Sequence, residues 1–210
     1  MNKLFKNIIV FVFLFTIVFS CVNPKLSQGE YRAFSGKSEW SNNEIVACEK
    51  AIANLDADSI KIVFRKTNIP GQGQAQPLMR TIFKKSGKRT YLVKVQDCNS
   101  KNPLCFSVLP DSAKVGLVGH EIIHVKDYHT KGFFSMLAMG FKYSLCKKYH
   151  RRVEYVTDSL TISNNMGNEV LNLMSFIHNS GLASKSYLRK KQKYYMDTVE
   201  VHRIMEISRD

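Results

Sequence analysis

The chain is short of acids, of long apolar runs and of repeats. Against 31 Lys and Arg it carries only 17 Asp and Glu, a formal net charge of +14. No internal repeat or extended low-complexity tract occurs in its 210 residues. That excludes solenoid and fibrous classes and leaves room for one domain plus a targeting segment. Hydrophobic content of 44% and charged content of 23% are those of an ordinary globular protein, which sets aside a disordered chain.

The longest apolar run, Ile8 to Phe19, is interrupted only by Thr16. It falls short of the about 20 residues a spanning helix needs. Lys3 and Lys6 precede it and Ser20 and Cys21 follow, which is the layout of a secretory signal. The stretch "VFSC" resembles a bacterial lipobox, in which Cys21 becomes the lipidated first residue. Cleavage after Ser20 without lipid, and an uncleaved anchor, are the other readings. The sequence therefore predicts a signal peptide over 1–20, a polar tether over 21–40 and a folded domain over 41–210. The chain is expected in the cell envelope, attached to the membrane through lipid or else secreted.

The cationic excess suits anionic lipid or an anionic wall polymer. Nucleic acid is not an expected partner of an exported chain. The densest basic run, Arg189, Lys190, Lys191 and Lys193, reads as a solvated helix face. Export permits disulfides. Lipidation of Cys21 leaves four cysteines, which allow three connectivities. Cys98 and Cys105 bracket the turn-rich "NSKNPL" and are the favoured pair; Cys48 with Cys146 would follow.

Along the domain, "SNNE" offers Ser41 as a helix cap with Glu44 as its capping-box partner, and Ile45, Cys48, Ile52 and Leu55 continue at helical spacing. "IKIVF" (60–64) reads as a strand. "NIPGQGQAQP" (68–77) reads as a loop, and "MRTIF" (79–83) with "TYLVKV" (90–95) as a hairpin. "CFSVL" (105–109) is a fourth short strand. Helical segments follow over roughly 112–129, 132–147, 150–165, 168–179 and 184–207, punctuated by Gly132, Gly167 and Gly181. One helix, a small mostly antiparallel sheet and then a helical half make an α+β order. "GFFSMLAMGF" (132–141) is too apolar all round for a one-sided surface helix and too short to span a bilayer. It is expected to be a buried core helix; a cleft wall or a segment dipping into the membrane is the alternative.

The chemistry concentrates in "VGLVGHEIIHVKDYHTKG" (115–132). His120 and His124 are four apart, so one helix face presents both imidazoles to a single ion. Neutral imidazole is a good zinc ligand, and Glu121 is placed to take a proton from a water at that ion. Val115, Val118, Ile122 and Val125 form a separate apolar stripe that can pack the helix on the sheet. A metzincin would need Gly at 127 and His at 130, where this chain has Asp127 and Thr130; His129 stands one place short and reads as a surface or supporting residue. A gluzincin needs a later helix with a glutamate and, four residues on, an aspartate. "RRVEYVTDSLT" has Glu154 and Asp158, on one helix face.

"HEIIH" followed by "EYVTD" thus resembles the gluzincin metallopeptidases, and within them the soluble catalytic domains of the CAAX-prenyl and heat-shock-X-type endopeptidase family. The resemblance implies a zincin-like fold and one zinc ion. It implies Glu154 as third protein ligand and Asp158 as the acceptor that fixes the tautomer of His120. It also implies a helper for the transition state near the end of the chain. In "DTVEVHRI", Arg203 or His202 is the candidate, although Asp197 stands where the family carries a histidine. His150, His178 and Tyr155 are further candidates. The expected activity is zinc-dependent hydrolysis of protein or peptide in the envelope. The competing expectations are a non-catalytic zinc-fold lipoprotein for binding or assembly, and a hydrolase of wall cross-links.

Overall fold

In the computed structural model the described residues are 31–36, 38–98 and 102–208. The expected signal segment and Cys21 lie outside them. Strand β1 (Arg32–Gly36) is followed by helix α1 (Asn42–Asn54) and strands β2 (Lys61–Thr67), β3 (Gly73–Pro77) and β4 (Thr90–Gln96). The helical half is α2 (Asp111–Thr130), α3 (Phe133–Leu145), α4 (Lys147–Thr161), α5 (Gly167–Asn179), α6 (Lys185–Tyr194) and α7 (Thr198–Ile207). The class is α+β with a small mixed sheet. Among the described residues no helix is long and apolar enough to cross a membrane.

The strand order is β1-β2-β4-β3, with β1–β2 and β2–β4 parallel and β3–β4 antiparallel. A mostly antiparallel sheet is therefore not what forms. The expected hairpin is absent because Met79–Thr81 makes one turn of 3-10 helix, with Thr81 Oγ1 donating to the Leu78 carbonyl at 3.0 Å. The antiparallel partner of β4 comes instead from Gly73–Pro77, inside the stretch that reads as a loop. Gly, Gln and Pro are poor strand formers, but pairing with β4 and burial of Ala75 in the core override propensity. A second correction concerns the tether. Its last part is β1, held by stacking of Phe34 on Phe64 (5.3 Å) and against Trp40 (5.1 Å), so the folded domain begins before residue 41. "CFSVL" is not a strand but a one-turn helix, Phe106–Val108, leading into α2.

Helix α1 starts with the capping box its sequence predicts: Ser41 N donates to Glu44 Oε2 at 2.7 Å, and Glu44 N to Ser41 Oγ at 3.4 Å. The same carboxylate accepts from buried Lys66 Nζ at 2.7 Å and from Ser107 Oγ at 2.7 Å. One glutamate thus ties the helix start to β2 and to the entrance of α2. The stripe Val115, Val118, Ile122 and Val125 is buried in the main core between the sheet, α1 and α5.

Close approach of α5 to α2 depends on Gly116. A Cβ there would lie 2.5 Å from the Glu169 carbonyl oxygen, a backbone atom that cannot step aside. Gly116→Ala is expected to lower stability by about 1–3 kcal/mol through overpacking. Chemical denaturation of the two proteins side by side measures this; an unchanged midpoint would mean the two helices separate freely.

Between α4 and α5 the chain passes through Asn164 and Asn165, the latter at φ 62°, a conformation asparagine tolerates. Gly167 opens α5 rather than breaking the helix. The expected helix over 184–207 is two, because Asp197 caps α7 in a second capping box with Glu200. Cys98 and Cys105 are bonded, as favoured. Cys48 and Cys146 are not a pair: Cys48 is buried and free, and Cys146 is exposed.

Helix α3 is not the buried core helix expected. It rests on the domain through Met136 and Met139, while Phe134 is 81% and Leu145 64% exposed. Its apolar residues are spread over two faces, and only one of them meets the protein.

Candidate metal centre

Helix α2 brings His120, Glu121 and His124 into the interior from its second half, on the side away from the valine stripe. Helix α4 crosses it and delivers Glu154, Thr157 and Asp158 from successive turns. His120 Nδ1–H donates to Asp158 Oδ1 at 2.7 Å. Thr157 Oγ1 gives its own proton to the Val153 carbonyl at 2.9 Å, so at 3.4 Å it accepts from His124 Nδ1–H. Both rings are therefore held to α4 through Nδ1 and turn Nε2 toward Glu154.

Glu154 is 1% exposed. Its Oε2 lies 3.2 Å from His120 Nε2 and its Oε1 3.9 Å from His124 Nε2. Oε1 accepts the Tyr143 hydroxyl from α3, and His150 Nε2 is 3.7 Å away. Oε2 is buried and has no hydrogen bond, since the His120 contact is not aligned for one. A buried carboxylate oxygen without a donor is costly unless a cation completes it. One ligand atom from each of His120, His124 and Glu154 lies within 4.8 Å of the others, close enough to hold one metal ion. Two neutral imidazoles and a carboxylate match the donor set of an ion that keeps a position open. The residues fit the group.

The electrostatics of the cluster are those of groups out of water. Burial pushes Glu121 up to about 7, with His120 opposing and Glu154 assisting. Burial, and then the charge of His120, lower His124 to about 4, which keeps it neutral as a ligand must be. Burial also opposes charging of His120, but Asp158 and Glu154 outweigh it and raise the ring to about 10. Burial works against ionised Glu154 too, yet contact with charged His120, with smaller contributions from His124 and the Tyr143 hydroxyl, holds it well below the usual carboxylate range. A metal ion held by His120, His124 and Glu154 would supply the positive charge that the His120 proton otherwise provides beside Glu154.

No family model, no curated protein and no solved structure matches this chain. Assignment of the site therefore rests on its own geometry. His120 and Glu121 open onto a cavity of about 670 Å³ whose other walls include Gly73 on β3, Tyr187 and Lys191 on α6, and Tyr195. Strand β3 is an edge, paired on one side with β4, and it runs beside α2. A Cβ added at Gly73 would come within 2.8 Å of Glu121 Cδ, so glycine there is what lets the edge approach the acid.

The sequence-predicted helpers near the chain end are elsewhere. His202 and Arg203 are exposed on the outer side of α7 and do not line the cavity. Asp197 caps α7, and the adjoining Met196 N–H reaches Asp158 Oδ2 at 3.5 Å. Tyr155 packs in a separate apolar cluster with Ile162 and Met196. His129 hydrogen-bonds Tyr91 at 3.2 Å, away from the three ligands. His178 lines the cavity, and His150 sits between the rings of Tyr143 and Tyr194. Sequence reading missed Lys191, Tyr195 and Tyr143. Lys191 leaves the solvated face assigned to its run and lies 3.5 Å over the Tyr195 ring, where burial lowers its pKa while Asp158, Glu154 and Glu121 oppose. The one available signal was the two tyrosines, Tyr194 and Tyr195, directly after the basic run.

Proposed function

We propose that the chain is a zinc-dependent metalloendopeptidase of the gluzincin kind, with a zincin-like domain acting on protein or peptide in the cell envelope. The observation that carries this is the joining of a buried His120–His124–Glu154 cluster to an adjacent buried acid, Glu121, at the wall of a cavity flanked by a sheet edge. A purely structural metal site has no use for such an acid. A zinc ion held by the three ligands would supply Lewis-acid polarisation of a carbonyl and a lowered pKa for the attacking water.

The chain's own residues do the rest. An extended substrate lies along edge strand β3, whose Ala75 N–H hydrogen-bonds Glu121, and this sets its carbonyls beside α2. Glu121, poised near neutrality by burial, takes the proton of the attacking water at its carboxylate and later passes it to the leaving amine. Asp158 and Thr157 hold the two imidazoles by Nδ1. Tyr195, whose ring centroid is 5.8 Å from that of His120, and Lys191 above it present a hydroxyl and a cation to the same cavity. They take the part for which Arg203 and His202 were candidates, stabilising the oxyanion as it forms.

The test is cleavage of an unfolded protein by the purified mature chain. Hydrolysis should appear with zinc, vanish with a strong chelator and return on adding the metal. A stoichiometric metal complex with no cleavage of any unfolded substrate would leave a non-catalytic metal-fold protein in its place.

A further inference from the structure

The outward side of α3 has no assigned role. Phe134, Leu137, Phe141 and Leu145 recur at helical spacing along it, opposite Met136 and Met139. Phe83, 76% exposed, joins this stripe from the loop before β4, its ring 4.5 Å from that of Phe133, which is 5.3 Å from that of Phe134. The arrangement is held in place. Arg89 is buried and donates to the Lys84 carbonyl at 2.7 Å and to the Lys131 carbonyl at 2.6 Å, clamping the Phe83 loop to the start of α3.

Charge around the patch has one sign. No acid occurs between Asp58 and Asp97 or between Asp127 and Glu154. The first interval holds exposed Lys84, Lys85 and Lys88, and the second holds exposed Lys142, Lys147 and Lys148. Asp127 itself is paired with Lys131. Exposed Phe83, Phe134 and Leu145, with half-buried Leu137 and Phe141 between them, lie on segments (83–88 and 133–148) whose exposed charged residues are all lysines, which is what an interfacial element offers to anionic headgroups.

Topology places the chain's entry at the same end. Arg32 and Tyr91 both register on Ile62, so parallel β1 and β4 begin side by side, about two strand spacings or 10 Å apart. The Phe83 loop leads directly into β4. The described residues therefore begin, at Tyr31, at the same end of the sheet as the Phe83 loop. We infer that the outer face of α3, together with Phe83 and its lysines, docks on a bilayer surface bearing anionic lipid. This does not depend on the peptidase reading.

The experiment uses the full-length chain in vesicles of phosphatidylcholine, with or without phosphatidylglycerol, made with acyl chains brominated near the headgroup. The chain has one tryptophan, Trp40, packed against Phe34, Phe64 and Phe106, which sets the baseline. Phe134→Trp, at a site exposed enough to tolerate it, should add emission that is quenched in vesicles containing phosphatidylglycerol. Combining it with Lys84→Glu, Lys85→Glu and Lys88→Glu should abolish the added quenching. No quenching beyond the Trp40 baseline would overturn the inference, and concentration-dependent dimers in that case would assign the face to a second copy. Equal quenching without phosphatidylglycerol, or undiminished by charge reversal, would also overturn it, because contact would then owe nothing to anionic lipid or to the lysines.

Discussion

Glu121→Gln is expected to leave fold and metal content intact and to lower hydrolysis of an unfolded substrate by about 10²–10⁴-fold, the usual cost of removing a general base. The amide keeps the shape of the carboxylate, so Gly73 and β3 need not move. It cannot take a proton, and it is neutral in a place where burial already disfavours charge and pushes Glu121 up to about 7. Stability should therefore stay level or rise while turnover collapses. Melting temperature, metal content and turnover measured on one preparation separate these effects. Activity within a factor of about two of the wild type would assign the proton transfer to another group.

His124→Ala is expected to remove most of the bound zinc, measured by elemental analysis of protein dialysed against a weak chelator. Two ligands remain, His120 and Glu154, and two do not make a closed set for this ion. Asp158→Asn should be milder, about 10–100-fold in affinity, because it disturbs a ligand's hydrogen bond rather than a ligand. The ranking is as informative as either value. Full stoichiometric zinc in His124→Ala would refute the ligand set, and an Asp158→Asn loss as deep as that of His124→Ala would make Asp158 a ligand.

Much of the centre was legible in the chain because helices have a fixed period. Spacings of four put His120 with His124 and Glu154 with Asp158 on single faces, wherever those helices lie. Thr157 was not legible, since its contact with His124 depends on how α4 crosses α2. Nor was Lys191 distinguishable by type from its neighbours Arg189, Lys190 and Lys193. Only the docking of α6 over the cavity draws one lysine of that run onto Tyr195 while the others stay exposed. Arg203 shows the converse: its place in the sequence suited a helper, and α7 turns it to solvent.

The sheet divides the same way. Alternation in "IKIVF" and "TYLVKV" is local, so β2 and β4 could be read. Strand β3 could not, because "GQAQP" has little strand propensity and exists through its hydrogen bonds to β4 and its contact with α2. Strand β1 likewise owes its place to Phe34 against Phe64 and Trp40. Composition showed that "GFFSMLAMGF" was apolar but not which residues of it would be covered. By itself the sequence determined the helix periods, the Ser41–Glu44 cap and the identity of the candidate ligands, all interactions within a few residues. Tertiary structure alone decided the parallel pairing, the edge strand beside Glu121, the cavity wall from α6 and the outward face of α3. Each of those is a contact between segments far apart in the chain, selected by which surfaces are left over once the local elements have packed.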